Sequence, residues 1–290
     1  MRTITAVSTQ LFHKVEGTAN DFVLIDTRSG PPGQSGGADG LIDGWSRRAT
    51  SLCDRRRGIG ADGILLVLPP RQADTDARMV VLNNDGSRPE MCGNGIRCVA
   101  LYLGQAEARK RRFLVESDAG LRACTLLRCA GSRTDVRVNM GVAEVRGLEH
   151  PRAGAGRSFQ SVSMGNAHAV SFVEPGEDLR QLALSLGPGV SRDRLYPRGA
   201  NVEFARVGAD GGLTVEVWER GAGLTRACGT GACAVVAAAL HTRRVMAAVS
   251  VEVRLPGGVL KIDISPSDHG DVFMEGPARL VFSGTFPHEL

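Results

Sequence analysis

Short stretches of alternating or continuous apolar residues recur along most of the chain, in lengths that suit strands better than helices. They predict strands at Phe22–Ile25, Gly63–Leu68, Met79–Leu82 and Val136–Val138, and again at Ser161–Met164, Ala169–Val173, Asn201–Ala205 and Leu213–Trp218. Four more follow at Val249–Val253, Leu260–Ile264, Val272–Met274 and Ala278–Phe282. Helical periodicity is rarer. It predicts helices over Leu41–Cys53, Ile96–Arg109, Leu179–Ser185 and Gly231–Arg244. Many strands with a few isolated helices define an α+β chain. The Gly- and Pro-rich stretches Ser29–Gly40 and Arg146–Arg157 read as surface loops.

One pattern occurs twice. Cys92-Gly93-Asn94-Gly95 opens a helix that carries Cys98, and Cys228-Gly229-Thr230-Gly231 opens a helix that carries Cys233. Each follows a strand and a Gly-containing turn, Asn84-Asp85-Gly86 in one half and Glu219 to Gly223 in the other. Such a repeat, one copy per half, predicts two similar domains facing each other.

Composition narrows the function. The chain has 290 residues, enough for one large or two ordinary domains. Apolar residues make up 42% and aromatics only 4%, so the core is built from Val, Leu, Ala and Ile. The net charge of +4 is spread out. The short basic runs Arg55–Arg57 and Arg109–Arg112 read as solvated surface, which argues against a nucleic-acid partner. No apolar run reaches the ~20 residues of a membrane span, and the first residues lack the basic start and apolar block of a signal peptide. A cytoplasmic location is expected. Seven cysteines fit it. An odd number, without C-x-x-C and without clustered His, argues against a disulfide framework and against a metal site.

C-G-x-G ahead of a helix has its own chemistry. The glycines are expected to allow a tight turn and close approach of a ligand. The helix N-terminus presents N–H groups and partial positive charge, which hold a carboxylate and lower the pKa of a thiol. Two such ends could grip one substrate carboxylate and set two sulfurs on opposite faces of its α-carbon. One sulfur as thiolate would take the proton, and the other as thiol would return one to the far face. Cys98 and Cys233, deeper in their helices, read as core, and Cys53, Cys124 and Cys129 as structural. Gly58-Ile59-Gly60-Ala61-Asp62-Gly63 matches a dinucleotide fingerprint, but a strand follows it where a helix is required. No phosphate loop and no lysine in a Schiff-base setting occurs, so no cofactor is implied.

The motifs together resemble the diaminopimelate epimerase family from about Phe12 to Gly284. They include Lys14 to Val23, Arg57 to Gly63, Asn83 to Cys98, Met164 to His168 and Asn201 to Phe204. Trp218 to Gly223, Ala227 to Cys233, Leu255 to Gly258 and Met274 to Ala278 complete the set. The resemblance implies two pseudo-symmetric domains, 1–132 completed by 276–290 and 133–275. Each would be a curved, mostly antiparallel sheet around a central helix, with the active site in the cleft. It implies Cys92 and Cys228 as the acid/base pair, with His168 and Glu219 near the reacting centre and Asn20 lining it. Gly93, Asn94, Gly229 and Thr230 would hold the reacting carboxylate through their N–H groups. Asn83, Asn166, Asn201 and Arg220 would hold the carboxylate of the inert end. The activity implied is interconversion of LL- and meso-2,6-diaminopimelate without pyridoxal phosphate, for lysine and peptidoglycan precursor synthesis. A small amino acid is then the only partner besides a second copy of the chain, since a homodimer is the family-level expectation.

Three places depart from the family pattern. Ala19 and Ala167 stand where Gly and Pro are common, and Leu224-Thr225-Arg226 where Glu-Thr-Leu is common. A racemase of another amino acid, and a catalytically silent amino-acid-binding protein, are the alternatives to be weighed.

Overall fold

The computed structural model describes residues 9–28, 37–246, 250–265 and 270–287. The chain divides into two compact units, Met1–Val136 with Ala278–Leu290, and Arg137–Pro277.

The N-terminal unit runs β1 (Thr9–Gly17), β2 (Asn20–Asp26), α1 (Gly37–Cys53), β3 (Gly63–Leu68), β4 (Ala77–Asn83), α2 (Gly93–Ala106), β5 (Arg112–Ser117), β6 (Gly120–Ala130) and the start of β7 (Arg133–Val142), which passes into the C-terminal unit after Val136. Its strands lie in sequence order from β1 to β7. Most neighbours are antiparallel. The two parallel pairs, β2 with β3 and β4 with β5, are those whose connection is a helix, because a parallel return needs a long crossover. Helix α1 covers the outside with Ile42, Trp45, Ala49 and Leu52, which recur at helical spacing, and packs on β3 and β4. Helix α2 touches each strand from β1 to β6 and buries every residue from Gly93 to Leu101. Strand β3, between the two helices, is buried along its whole length.

The C-terminal unit repeats the plan. It runs β8 (Glu144–Glu149), β9 (Phe159–Ser163), β10 (Ala167–Phe172), α3 (Leu179–Ser191), β11 (Asn201–Val207), β12 (Leu213–Glu219), β13 (Gly223–Thr225), α4 (Gly229–His241), β14 (Val251–Leu255), β15 (Gly258–Ile264) and β16 (Asp271–Pro287). The parallel pairs are again the helix-connected ones, β10 with β11 and β12 with β14. Helix α3 covers β11 and β12 from outside. Helix α4 is buried from Gly229 to Ala239, its Ala-rich surface touching strands on all sides. The last part of β16 returns to the N-terminal unit and pairs with β1. Fold class is therefore α+β, with a curved, mostly antiparallel sheet around one central helix in each unit.

Several expectations need correction. The stretch Ser29–Gly40 falls partly outside the described residues, and Gly37–Gly40 form the first turn of α1. Arg146–Arg157 is not all loop, since β8 extends to Glu149 and Arg152–Gly154 make a 3-10 turn. The two final strands are one, continuous through Gly276 and Pro277. The first residue of the strand expected at Val249–Val253 lies outside the described residues. Strands β1, β5, β6, β8 and β13 carry no clear alternation in sequence. Cys129, expected to be structural, is exposed beside Arg111, whereas Cys53 and Cys124 are buried. The basic runs are on the surface, and Arg55 pairs there with Asp21 and Asp62.

Strands β1 and β2 are joined by Thr18 and Ala19, both left-handed at φ 55° and 58°. A two-residue hairpin needs this geometry, but it is costly for residues with a Cβ. Ala19→Gly should stabilise the protein by about 1 kcal/mol, the strain relieved exceeding the chain entropy added. A urea midpoint that stays the same or falls would contradict this.

Candidate active site

Each central helix starts at a cysteine. Cys92 and Cys228 are the N-caps of α2 and α4, with extended backbone at φ −137°, ψ 111° and φ −122°, ψ 113°. Each sulfur takes the role usually filled by a Ser or Asp oxygen. Cys92 Sγ accepts from the Gly95 N–H at 3.4 Å, and Cys228 Sγ from the Gly231 N–H at 3.3 Å. The first-turn N–H groups of Gly93, Gly229 and Thr230 have no carbonyl four residues back within the helix.

The glycines act through space rather than through turn geometry. None of the four motif glycines has a positive φ. A Cβ on Gly95 would come within 2.8 Å of Leu65 Cδ2 and 3.6 Å of Cys92 Sγ. A Cβ on Gly231 would come within 2.7 Å of Glu203 Oε1 and 3.3 Å of Cys228 Sγ. Only glycine lets a strand side chain and the sulfur share the first turn.

In the N-terminal unit a hydrogen-bonded chain fixes two amides beside Cys92. Asp62 Oδ2 accepts from Asn20 Nδ2 at 2.9 Å, which turns Asn20 Oδ1 toward Asn94 Nδ2 at 3.2 Å and Cys92 Sγ at 3.9 Å. Fully buried Arg97 donates to Asn94 Oδ1, Gly93 O and Thr18 Oγ1, settling the Asn94 amide from behind. Asn83 ends β4 and donates to Ser87 Oγ instead.

In the C-terminal unit Asn166, His168, Glu219, Cys228 and Thr230 come together. His168 is fully buried. Its Nδ1 lies 2.7 Å from Glu203 Oε1 and its Nε2 lies 3.1 Å from Asn166 Oδ1. Asn166 Nδ2 faces Thr230 Oγ1 at 3.5 Å, and Thr230 Oγ1 is 3.5 Å from Cys228 Sγ. Asn20–Asn94 beside one cysteine and Asn166–Thr230 beside the other are equivalent contacts in the repeated plan. Asn201 and Arg220 form a second group, where Asn201 Oδ1 accepts the Arg220 N–H at 2.9 Å. Arg220 also lines a cavity of about 470 Å³ with Arg192, Arg198, Tyr196 and Trp218. No other candidate residue reaches that cavity.

Electrostatics correct one expectation. A helix N-terminus lowers a thiol pKa, yet the Cys228 thiol is pushed well above its ordinary value. Burial is the largest cause, followed by the Glu219 and Glu203 carboxylates, and hydrogen bonds from Thr230 and Gly231 offset them only in part. Burial likewise pushes the Glu219 carboxyl up, against the pull of its hydrogen bond from Thr225.

Leu224 packs into the apolar core under α3, Thr225 holds Glu219, and Arg226 is exposed. Sequence reasoning missed Glu203, Arg97 and Asp62. For Glu203 a signal existed, an acidic residue in an otherwise apolar strand, two places from Asn201 and hence on its face. Among the described residues no three His, Cys, Asp or Glu side chains gather as metal ligands, and no helix is long and apolar enough to cross a membrane.

The family model for diaminopimelate epimerase matches residues 12–145 and 160–281. A diaminopimelate epimerase from Microcystis aeruginosa is 41% identical over 95% of this chain and 98% of its own length. One from Desulforudis audaxviator is 45% identical over 94% and 98%. Among solved structures, a hydroxyproline epimerase from Agrobacterium vitis superposes with a TM-score of 0.73 at 19% identity, covering 100% of this chain and 95% of that one. A phenazine biosynthesis protein from Bacillus anthracis gives 0.67 at 11% identity, covering 96% and 99%. Those two likenesses carry the fold alone.

Because Glu219 raises the Cys228 pKa, Glu219→Gln should lower it. The pH at which Cys228 becomes half-reactive toward iodoacetamide, followed by peptide mass spectrometry, should move down. A midpoint that is unchanged or higher would contradict the assigned cause.

Proposed function

The chain belongs to the diaminopimelate epimerase family, and from that membership we propose which of its residues carry the reaction. The reaction is inversion at one α-carbon of 2,6-diaminopimelate, between the LL and meso forms, and it serves lysine and peptidoglycan precursor synthesis. Neither a different amino-acid substrate nor a silent binding role is favoured by this kinship.

The observation that carries the mechanism is the shared geometry of the two cysteines, each capping the central helix of its unit through sulfur. Cys92 and Cys228 act as base and acid on one α-carbon. Burial and two carboxylates support Cys228 as the thiol at rest, which makes Cys92 the thiolate in the first direction. As the α-proton leaves, charge grows on the substrate carboxylate. The first-turn N–H groups of Gly93, Asn94, Gly229 and Thr230 stabilise it, aided by both helix dipoles. Asn20 and Thr230 orient the sulfurs, and Glu219 and His168 set the charge around Cys228. Asn83, Asn166, Asn201 and Arg220 grip the inert end, where a guanidinium and neutral amides match one carboxylate. The enzyme works in the cytoplasm as a homodimer.

Cys92→Ala and Cys228→Ala should each lower epimerisation by about 10³-fold or more, since general acid–base groups contribute on that order. Chiral chromatography of the product checks this, with LL- and meso-diaminopimelate compared with lysine, glutamate and proline. Full activity in either variant would overturn the two-base assignment, and turnover of only the other amino acids would overturn the substrate.

A further inference from the structure

The duplicated plan allows each residue around Cys228 to be matched with one around Cys92. In the N-terminal unit Phe22 of β2 pairs with Gly63 of β3, and Leu65 two residues on faces Gly95 of α2. In the C-terminal unit His168 of β10 pairs with Asn201 of β11, and Glu203 two residues on faces Gly231 of α4. Hence Phe22 and Leu65 occupy the places of His168 and Glu203. All four are buried, at 3%, 0%, 0% and 0% exposure. The same scaffold closes over an apolar pair on one side and an ionisable pair on the other. Packing alone does not require the ionisable pair, since a buried ion pair is seldom more stable than a well-packed apolar one.

The hydrogen bonds of His168 show what the pair can do. Asn166 sets its Oδ1 3.1 Å from Nε2, and a carbonyl oxygen only accepts, so this contact is a hydrogen bond when Nε2 carries a proton. Glu203 Oε1 lies 2.7 Å from Nδ1, and a carboxylate there accepts when Nδ1 carries a proton as well. The Glu203 side chain has no other hydrogen-bond partner among the described residues, and its Oε2 is buried without one. Around the pair stand Glu219 from β12, Cys228 from the start of α4 and Tyr196 from the turn after α3. Strand β9 places Val162 opposite His168 and carries no ionisable side chain.

We propose that Glu203 is a positioning residue that holds His168 as an imidazolium, so that its Nε2–H fixes the Asn166 amide with the NH₂ end toward Thr230 and the substrate. Glu203 itself touches no substrate. It rests on the two-cysteine chemistry proposed above and adds a residue whose role is to keep one amide from flipping. A neutral His168 would present a bare nitrogen to Asn166, and the amide would rotate to donate to it. The NH₂ group would then be turned away from Thr230.

Two measurements test this. In ¹⁵N-histidine-labelled protein at pH 8, His168 should show both ring nitrogens protonated, and in Glu203→Gln it should be neutral. A neutral His168 in the unmodified chain would overturn the proposal. Second, kcat/KM of Glu203→Gln should be at least tenfold below the parent at pH 8, and the ratio of variant to parent should recover toward pH 6, where an unassisted histidine protonates. A ratio that stays flat with pH would also overturn it. The double variant His168→Phe with Glu203→Leu, which copies the N-terminal pair, should unfold cooperatively near the parent's midpoint yet lack activity. Failure of that variant to fold would assign the pair to folding instead. Should the parent chain not turn over diaminopimelate, the functional reading falls while the nitrogen signature of His168 still decides this inference.

Discussion

In each unit a cysteine sulfur accepts the third N–H of a buried central helix, at 3.4 Å from Gly95 and 3.3 Å from Gly231. That one contact ties the sheet to the site. The helix is buried on all sides because the sheet curls around it, so its N-terminus points in one direction with little freedom. The sulfur is held by that end, and the same end offers the N–H groups that suit a carboxylate. Gly95 and Gly231 keep the first turn narrow enough for sulfur and a strand side chain to meet there. A bulkier residue would move the sulfur off the helix axis, and with it the geometry on which the proposed proton transfer depends.

The two units share this contact but not its surroundings. On the Cys92 side the strand face at the helix start is Leu65, and polar contacts include Asn20 and Asn94, held by Asp62 and Arg97. Beside Cys228 it is His168 and Glu203, with Glu219 close by. The Cys92 thiol has the Asn20 amide among its contacts, and the Cys228 thiol faces carboxylates that oppose its ionisation. An inversion catalyst needs one sulfur charged and one protonated at the start of each turnover. Under the two-cysteine mechanism proposed above, unequal surroundings would give the pair a defined resting state, whereas identical ones would leave it divided between two.

Much of this was legible in the sequence, for identifiable reasons. Gly63–Leu68 is buried on both faces, so its apolar run is continuous, and its predicted limits are those of β3. The cysteine motif was legible because it occurs twice. Strand β1 was not, because Lys14 is buried where a polar residue reads as exposed, and it donates to Gly60 O. The helix starts were placed two or three residues late, since Gly93 and Gly229 read as loop until the sulfur caps are seen. The thiol pKa was misjudged because the helix terminus is local in sequence, while Glu203 and Glu219 reach Cys228 only through the fold.

The central claim is that two sulfurs, and not one, handle the proton. Initial-rate conversion of LL-diaminopimelate in deuterium oxide tests it most directly, by mass spectrometry of product and remaining substrate. The two-cysteine account predicts one α-deuterium in every product molecule and none in the substrate left behind. Product that keeps the substrate's own α-hydrogen would contradict it, because a single group would then have carried the proton from one face to the other.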